Sequence, residues 1–122
     1  MSYINKPGKT TAWRSHVLNN LAADVILHEK VETSLPMARS LTKLLAKLIK
    51  FAKQDTLHSR RLALQYLVNK KKLEDQKGKK LLDKLFSDLK EKYKNRAGGY
   101  SRVTKLNYRV GDNSLRVVFS LV

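Results

Sequence analysis

The stretch KNRAGGYSRVTK, Lys94 to Lys105, is where the pattern of this chain changes period. Before it, Leu81, Leu82, Leu85, Phe86, Leu89 and Tyr93 recur at three- and four-residue steps, which predicts one buried helix face over about 79–94. After it, Leu115, Val117, Phe119 and Leu121 stand at every second position, the pattern of a half-buried strand. Between the two, Tyr100 to Tyr108 reads as a less regular strand with Val103 and Leu106 as its core candidates. VGDNS, Val110 to Ser114, supplies the turn. A helix-to-strand junction has use for Gly98 and Gly99, but a plain turn has none for the Arg96, Tyr100 and Arg102 around them.

Upstream, Trp13, Val17, Leu18, Leu21 and Val25 predict a first helix over about 11–28, and KVETS, Lys30 to Ser34, a short strand. Thr33 or Ser34 can cap a second helix that carries Pro36 in its opening turn and runs to about Lys53. Leu41, Leu44, Leu45, Leu48 and Ala52 face inward there, with Arg39, Lys43, Lys47, Lys50 and Lys53 mainly on the other side. A third helix is expected over about 56–68, capped by Asp55, with Leu57, Leu64, Leu67 and Val68 apolar. Residues 1–10, around the Pro7-Gly8 breaker, read as a flexible basic arm, and 69–80 as a charged loop. The expectation is an α+β fold, about four helices packed on a small three-stranded sheet, forming a single domain over 1–122.

Charge narrows the partner. With 26 Lys and Arg against 10 Asp and Glu, the formal net charge is +16 over 122 residues. Such repulsion is relieved when a polyanion binds and its counterions leave. Nucleic acid is the leading candidate, with a membrane surface or a heparin-like polymer behind it. No cysteine is present, in keeping with a reducing compartment. MSYINKPGKTTAWRSH lacks the apolar stretch of a secretory leader, and no run approaches a membrane span, so a cytoplasmic protein without a membrane partner is expected.

Catalysis finds no support. His16, His28 and His58 are far apart in sequence and lack metal spacing, and most carboxylates have a basic neighbour within four residues. No phosphate-cradling or nucleophile-elbow motif occurs. Catalytic residues, metal, cofactor and small-molecule substrate are therefore all expected to be absent.

The candidate RNA-binding residues fall into groups. Lys6 and Lys9 lie in the arm, with Arg14 at the start of helix one. Lys43 and Lys50 belong to the helix-two stripe, which a solvated face explains equally well. Arg60 and Arg61 lie on helix three. Arg96, Arg102, Lys105 and Arg109 surround Gly98, Gly99 and Tyr100, and are expected to form one phosphate-binding cluster. Arginine presents a planar fork that grips phosphate, and glycine leaves no Cβ to hold a backbone away from it. Gly98 can equally end helix four in a left-handed cap. Nothing resembles a base-reading module, which points to recognition of a folded RNA by shape. An architectural DNA-binding protein and an enzyme acting on RNA remain the alternatives.

HEKVETSLPMARSLTKLLAKLIKFAKQD (His28 to Asp55), SRRLAL (Ser59 to Leu64), RAGGYSRV (Arg96 to Val103) and RVGDNS (Arg109 to Ser114) resemble, in the same order, the seventeenth protein family of the bacterial large ribosomal subunit. The resemblance implies a structural constituent of the ribosome, near the nascent-chain tunnel exit, that binds large-subunit rRNA and touches neighbouring ribosomal proteins. It implies no cofactor and no obligate homo-oligomer. Arg14, Asn20, Arg39, Arg60, Arg61, Arg96, Arg102, Lys105 and Arg109 match basic or polar positions of that family. Ile4, Asn5, Met37 and Lys47 depart from its usual pattern.

Overall fold

The hydroxyl of Thr10 accepts from the amide of Trp13 at 3.2 Å and so starts the first helix. In the computed structural model, which describes residues 8–71 and 81–122 (side chains of 68–71 excepted), this helix, α1, spans Thr11–His28. Its buried face is Ala22, Ala23, Val25 and Ile26. Trp13, expected in the apolar stripe, is 41% exposed, because the packing of α1 on the core begins only farther along the helix, at Leu18. Glu29 closes the helix at φ 65°, and the chain enters strand β1, Lys30–Ser34, at once.

Helix α2, Leu35–Gln54, has Pro36 in its first turn, where the missing amide costs nothing. The expected side-chain cap is not made: Ser34 is still paired with Arg116 across the sheet. Ala38, Leu41, Leu45, Leu48, Ile49 and Ala52 are fully buried, and α2 packs against α1, β1, the two later helices and the central strand of the sheet. Asp55 does not cap the third helix as expected. It ends α2 in a left-handed conformation (φ 46°), and Thr56 takes the capping role: its Oγ1 accepts from the amide of Ser59, whose Oγ accepts from that of Thr56.

Helix α3, Leu57–Lys71, buries Ser59, Ala63 and Leu67 but leaves Leu57 66% exposed. It takes in Asn69–Lys71, which the sequence places in the charged loop; the remainder of that loop, 72–80, and arm residues 1–7 lie outside the described residues. Helix α4 is described over 81–92 and is π-helical at Leu85–Leu89. An α-helix of about 3.6 residues per turn carries a four-residue repeat slowly around its axis, and a wider π turn winds it back. Leu81, Leu85, Leu89 and Tyr93, four residues apart, are accordingly all buried to within 1%.

Strands β2, Ser101–Tyr108, and β3, Leu115–Leu121, complete an antiparallel sheet of order β1–β3–β2. Val117 and Phe119 of the central strand are fully buried; Phe119 lies opposite Val31 and Val103. Leu106, an expected core residue, is 44% exposed: one extra residue between Lys105 and Tyr108 breaks the alternation there. Four helices on a three-stranded sheet make the α+β architecture the sequence predicts.

Candidate nucleic-acid interface

Helical periodicity sets Arg39, Lys43, Lys47 and Lys50 along the exposed side of α2, opposite its leucines, in a row about 16 Å long at 1.5 Å per residue. The 20 residues of α2 contain no carboxylate. Like charges at four-residue steps destabilise a helix by ~0.2–0.5 kcal/mol per pair, and a merely solvated face mixes signs to avoid this. Arg39, Lys43 and Lys50 have no hydrogen-bond or ion-pair partner among the described residues. Lys47 donates to the hydroxyl of Tyr66 on α3 at 2.7 Å and lies 5.2 Å from its ring centre.

A cleft of about 630 Å³ opens between this row and the helix-to-strand corner. Lys47, Lys50 and Lys53 form one wall; Ala97, Gly98, Gly99, Tyr100 and Ser101 form the other. The corner is braced from three directions. Lys53 Nζ donates to Tyr100 Oη at 2.9 Å and to the carbonyl of Arg96, and lies 4.9 Å from the Tyr100 ring centre. Tyr100 Oη donates to the same carbonyl at 3.1 Å, while Arg96 Nε donates to the Gly98 carbonyl at 3.1 Å. Tyr93 meets the Tyr100 ring edge-on at 5.1 Å between centres and donates from its hydroxyl to the carbonyl of Val122 at 3.0 Å. Burial, and then the charge of Glu29, push the Tyr93 hydroxyl above its usual pKa, so it remains a donor at physiological pH.

Gly98 does not end helix four: its last helical residue is Lys92, and a turn through Tyr93 follows. The glycine that needs its freedom is Gly99, at φ 64°. A Cβ built on Gly98 would meet no protein atom within 4 Å, so the backbone there is open to an approaching ligand.

The expected cluster of Arg96, Arg102, Lys105 and Arg109 is divided by strand geometry. Val103 turns toward the helices opposite Phe119, so Arg102 lies on the open sheet face, opposite Ser120 and across it from Lys30. Lys105 is exposed, and neither it nor Arg102 has a partner among the described residues. Arg109 lies seven residues beyond Arg102, about 23 Å along an extended strand. There Asp112 holds its guanidinium through Nε at 2.9 Å and Nη2 at 2.5 Å.

Other candidates are equally engaged. Arg60 grips Asp55 through Nε and Nη2 at 3.0 and 2.8 Å and lies 5.1 Å from the Phe86 ring centre, whereas Arg61 is exposed and has no partner among the described residues. Arg14 donates to the Lys9 carbonyl at 2.9 Å and to Thr11 Oγ1 at 3.0 Å; Lys9 lies 5.7 Å from the Trp13 ring centre. Asn20 is exposed on α1, and Lys6 lies outside the described residues. The structure thus brings Lys50 to Gly98, Gly99 and Tyr100, with Lys43 and Arg39 farther along the same row. Lys47 and Lys53 were visible in the stripe, but nothing local distinguished them; their place in the cleft depends on the packing of α3 and the corner.

Asp55 knits α2, α3 and α4 together, accepting from Lys90 at 2.7 Å and from Arg60. The Lys90 hydrogen bond foremost, and then that of Arg60, hold its carboxyl below the usual carboxylate range. A carboxyl depressed by folding stabilises above the unfolded pKa and loses that effect as pH falls through the folded one. Below about pH 4 the urea midpoint is expected to fall less steeply in Asp55→Asn than in the parent chain; parallel acid profiles would refute this coupling.

The family profile described as Ribosomal protein L17 matches residues 17–122, from the middle of α1 to the last strand. The chain belongs to the ribosomal protein L17 family. Within the family it is 43% identical over 122 residues to the large ribosomal subunit protein bL17 of Mesoplasma florum, with 100% of both chains covered. It is 47% identical over 124 residues to the protein of that name in Ureaplasma parvum, again covering 100% of each. For Mycoplasma pneumoniae the identity is 43%, covering 99% of this chain and 95% of the relative.

Proposed function

We propose that the chain binds folded ribosomal RNA, with the carboxylate-free row of α2 and the adjoining glycine-walled cleft as its principal contact. As a member of its family it is a structural constituent of the large ribosomal subunit, and its working place is the cytoplasmic ribosome. The observation that carries the RNA reading is the cleft itself. Lys47 and Lys50 of α2 face a backbone that glycine leaves bare and that Lys53 braces, an arrangement suited to phosphate, which needs both cations and close amides. The exposed Arg61, Arg102 and Lys105 add charge elsewhere on the surface, whereas Arg60 and Arg109 serve first as internal braces.

On this reading the whole chain is one non-catalytic domain that neutralises phosphate and recognises shape. Its place near the nascent-chain tunnel exit is proposed from the family resemblance. A DNA-compacting protein would share the charge; family membership favours RNA, and in-cell crosslinking distinguishes the two by which nucleic acid is attached.

The decisive variant is Gly98→Val. The Cβ added there meets no atom within 4 Å beyond its chain neighbours, so the thermal midpoint should change little. In competition for incorporation into large subunits the variant is expected to lose to the parent several-fold. Equal incorporation would mean that no phosphate lies against this backbone.

A further inference from the structure

The end of the β2–β3 hairpin is unlike the rest of this basic surface. Leu106, Tyr108 and Val110 are 44%, 60% and 102% exposed, so three of the six large apolar side chains most exposed among the described residues fall within five consecutive positions. Between Leu106 and Leu115 the chain carries one cation and one anion, Arg109 and Asp112, and they are paired. In a chain of formal charge +16 this segment has no net charge.

The end is also rigid. The amide of Arg109 donates to the Ser114 carbonyl at 2.7 Å, and that of Asn113 to the Arg109 carbonyl at 2.8 Å. Asn113 takes the left-handed conformation at φ 58°, and the Ser114 amide donates to Asp112 Oδ1 at 3.1 Å. The Arg109 hydrogen bond foremost, with that of Ser114, lowers the Asp112 carboxyl to about 2, so the pair stays ionised at physiological pH. Apolar groups held out on a fixed turn need no further ordering when they are covered.

We propose that this hairpin end, led by Tyr108 and Val110, seats in an uncharged apolar recess on a neighbouring protein of the large subunit rather than against RNA. The chemistry favours protein. A phosphate surface gains nothing from a neutral turn whose arginine is already gripped by a carboxylate, while an apolar recess gains from covering three hydrophobic groups. Three side chains bury far less than the ~1,200 Å² of a stable free complex. The contact therefore acts only where the particle already holds both proteins close together, as a second point of attachment does. The inference rests on membership of the large subunit and is independent of the α2 cleft.

A photoreactive benzoylphenylalanine in place of Val110 tests it in assembled large subunits, with the same probe in place of Lys50 reporting on the RNA contact. From position 110 the expected result is one discrete protein adduct, mapped by mass spectrometry to an uncharged apolar peptide of a large-subunit protein. An rRNA adduct, an adduct on a charged peptide, or no adduct in particles that carry the probe would each overturn the proposal. Failure at position 50 with success at 110 would instead count against the RNA reading alone. The double variant Tyr108→Ser, Val110→Ser should keep the parent affinity for rRNA in isolation but leave purified subunits several-fold more readily in a high-salt wash. Parental retention in that wash would also overturn it.

Discussion

Replacing Lys43, Lys47 and Lys50 together with alanine is expected to weaken rRNA binding roughly a hundred- to a thousandfold at ~0.1 M salt, while the fold persists. Each phosphate neutralised contributes about 0.7–0.9 to the slope of log affinity against log salt, so losing three should flatten that slope by about 2–3 units. The substituted residues are exposed, and alanine is the best helix former. Removing like charges at four-residue spacing should, if anything, steady the isolated helix. Only Lys47 gives up an internal contact, its bond to Tyr66 on the surface of α3. Filter binding across a salt series together with a melting curve provides both measurements. An unchanged slope would place the RNA on some other face; a collapsed melting curve would show that the row serves the fold.

Tyr93→Ala is expected to cost about 3–5 kcal/mol, the range for truncating a buried large aromatic. For a chain of this size that is a major share of a total stability of ~5–15 kcal/mol, and a fall of about 10–20 °C in the melting temperature. Tyr93 is 1% exposed, supports the ring of Tyr100 and ties the last residue, Val122, to the end of α4. Its loss opens the core beneath the cleft and frees the corner wall. Tyr93→Phe keeps the ring and removes only the hydroxyl, so about 1 kcal/mol is expected, with RNA binding little changed. Equal melting temperatures for the two variants would mean that the ring does not hold the corner.

How far the sequence could be read depended on the range of the interaction involved. Helix four was legible from its apolar repeat, though the π turn that keeps Leu81, Leu85, Leu89 and Tyr93 in line was not. Strand β1 was legible to the residue, as KVETS. Trp13 and Leu57 misled, because apolar spacing says which side of a helix a residue occupies and not whether anything covers that side. The arginine cluster misled for a related reason. Nearness in sequence along an extended strand becomes alternation between faces and more than 20 Å of separation by the end of it.

By itself the order of residues determined the helices, the strands, the single-signed outer row of α2 and the excess of positive charge. These depend on interactions within about four positions, or on none. The tertiary structure alone decided which cations stay available. Lys53 is drawn to the corner by groups 43 and 47 residues away, and Arg116 meets Glu32 across 84. A charge that finds a carbonyl or carboxylate within its own fold is largely spent there, and no local pattern records that encounter.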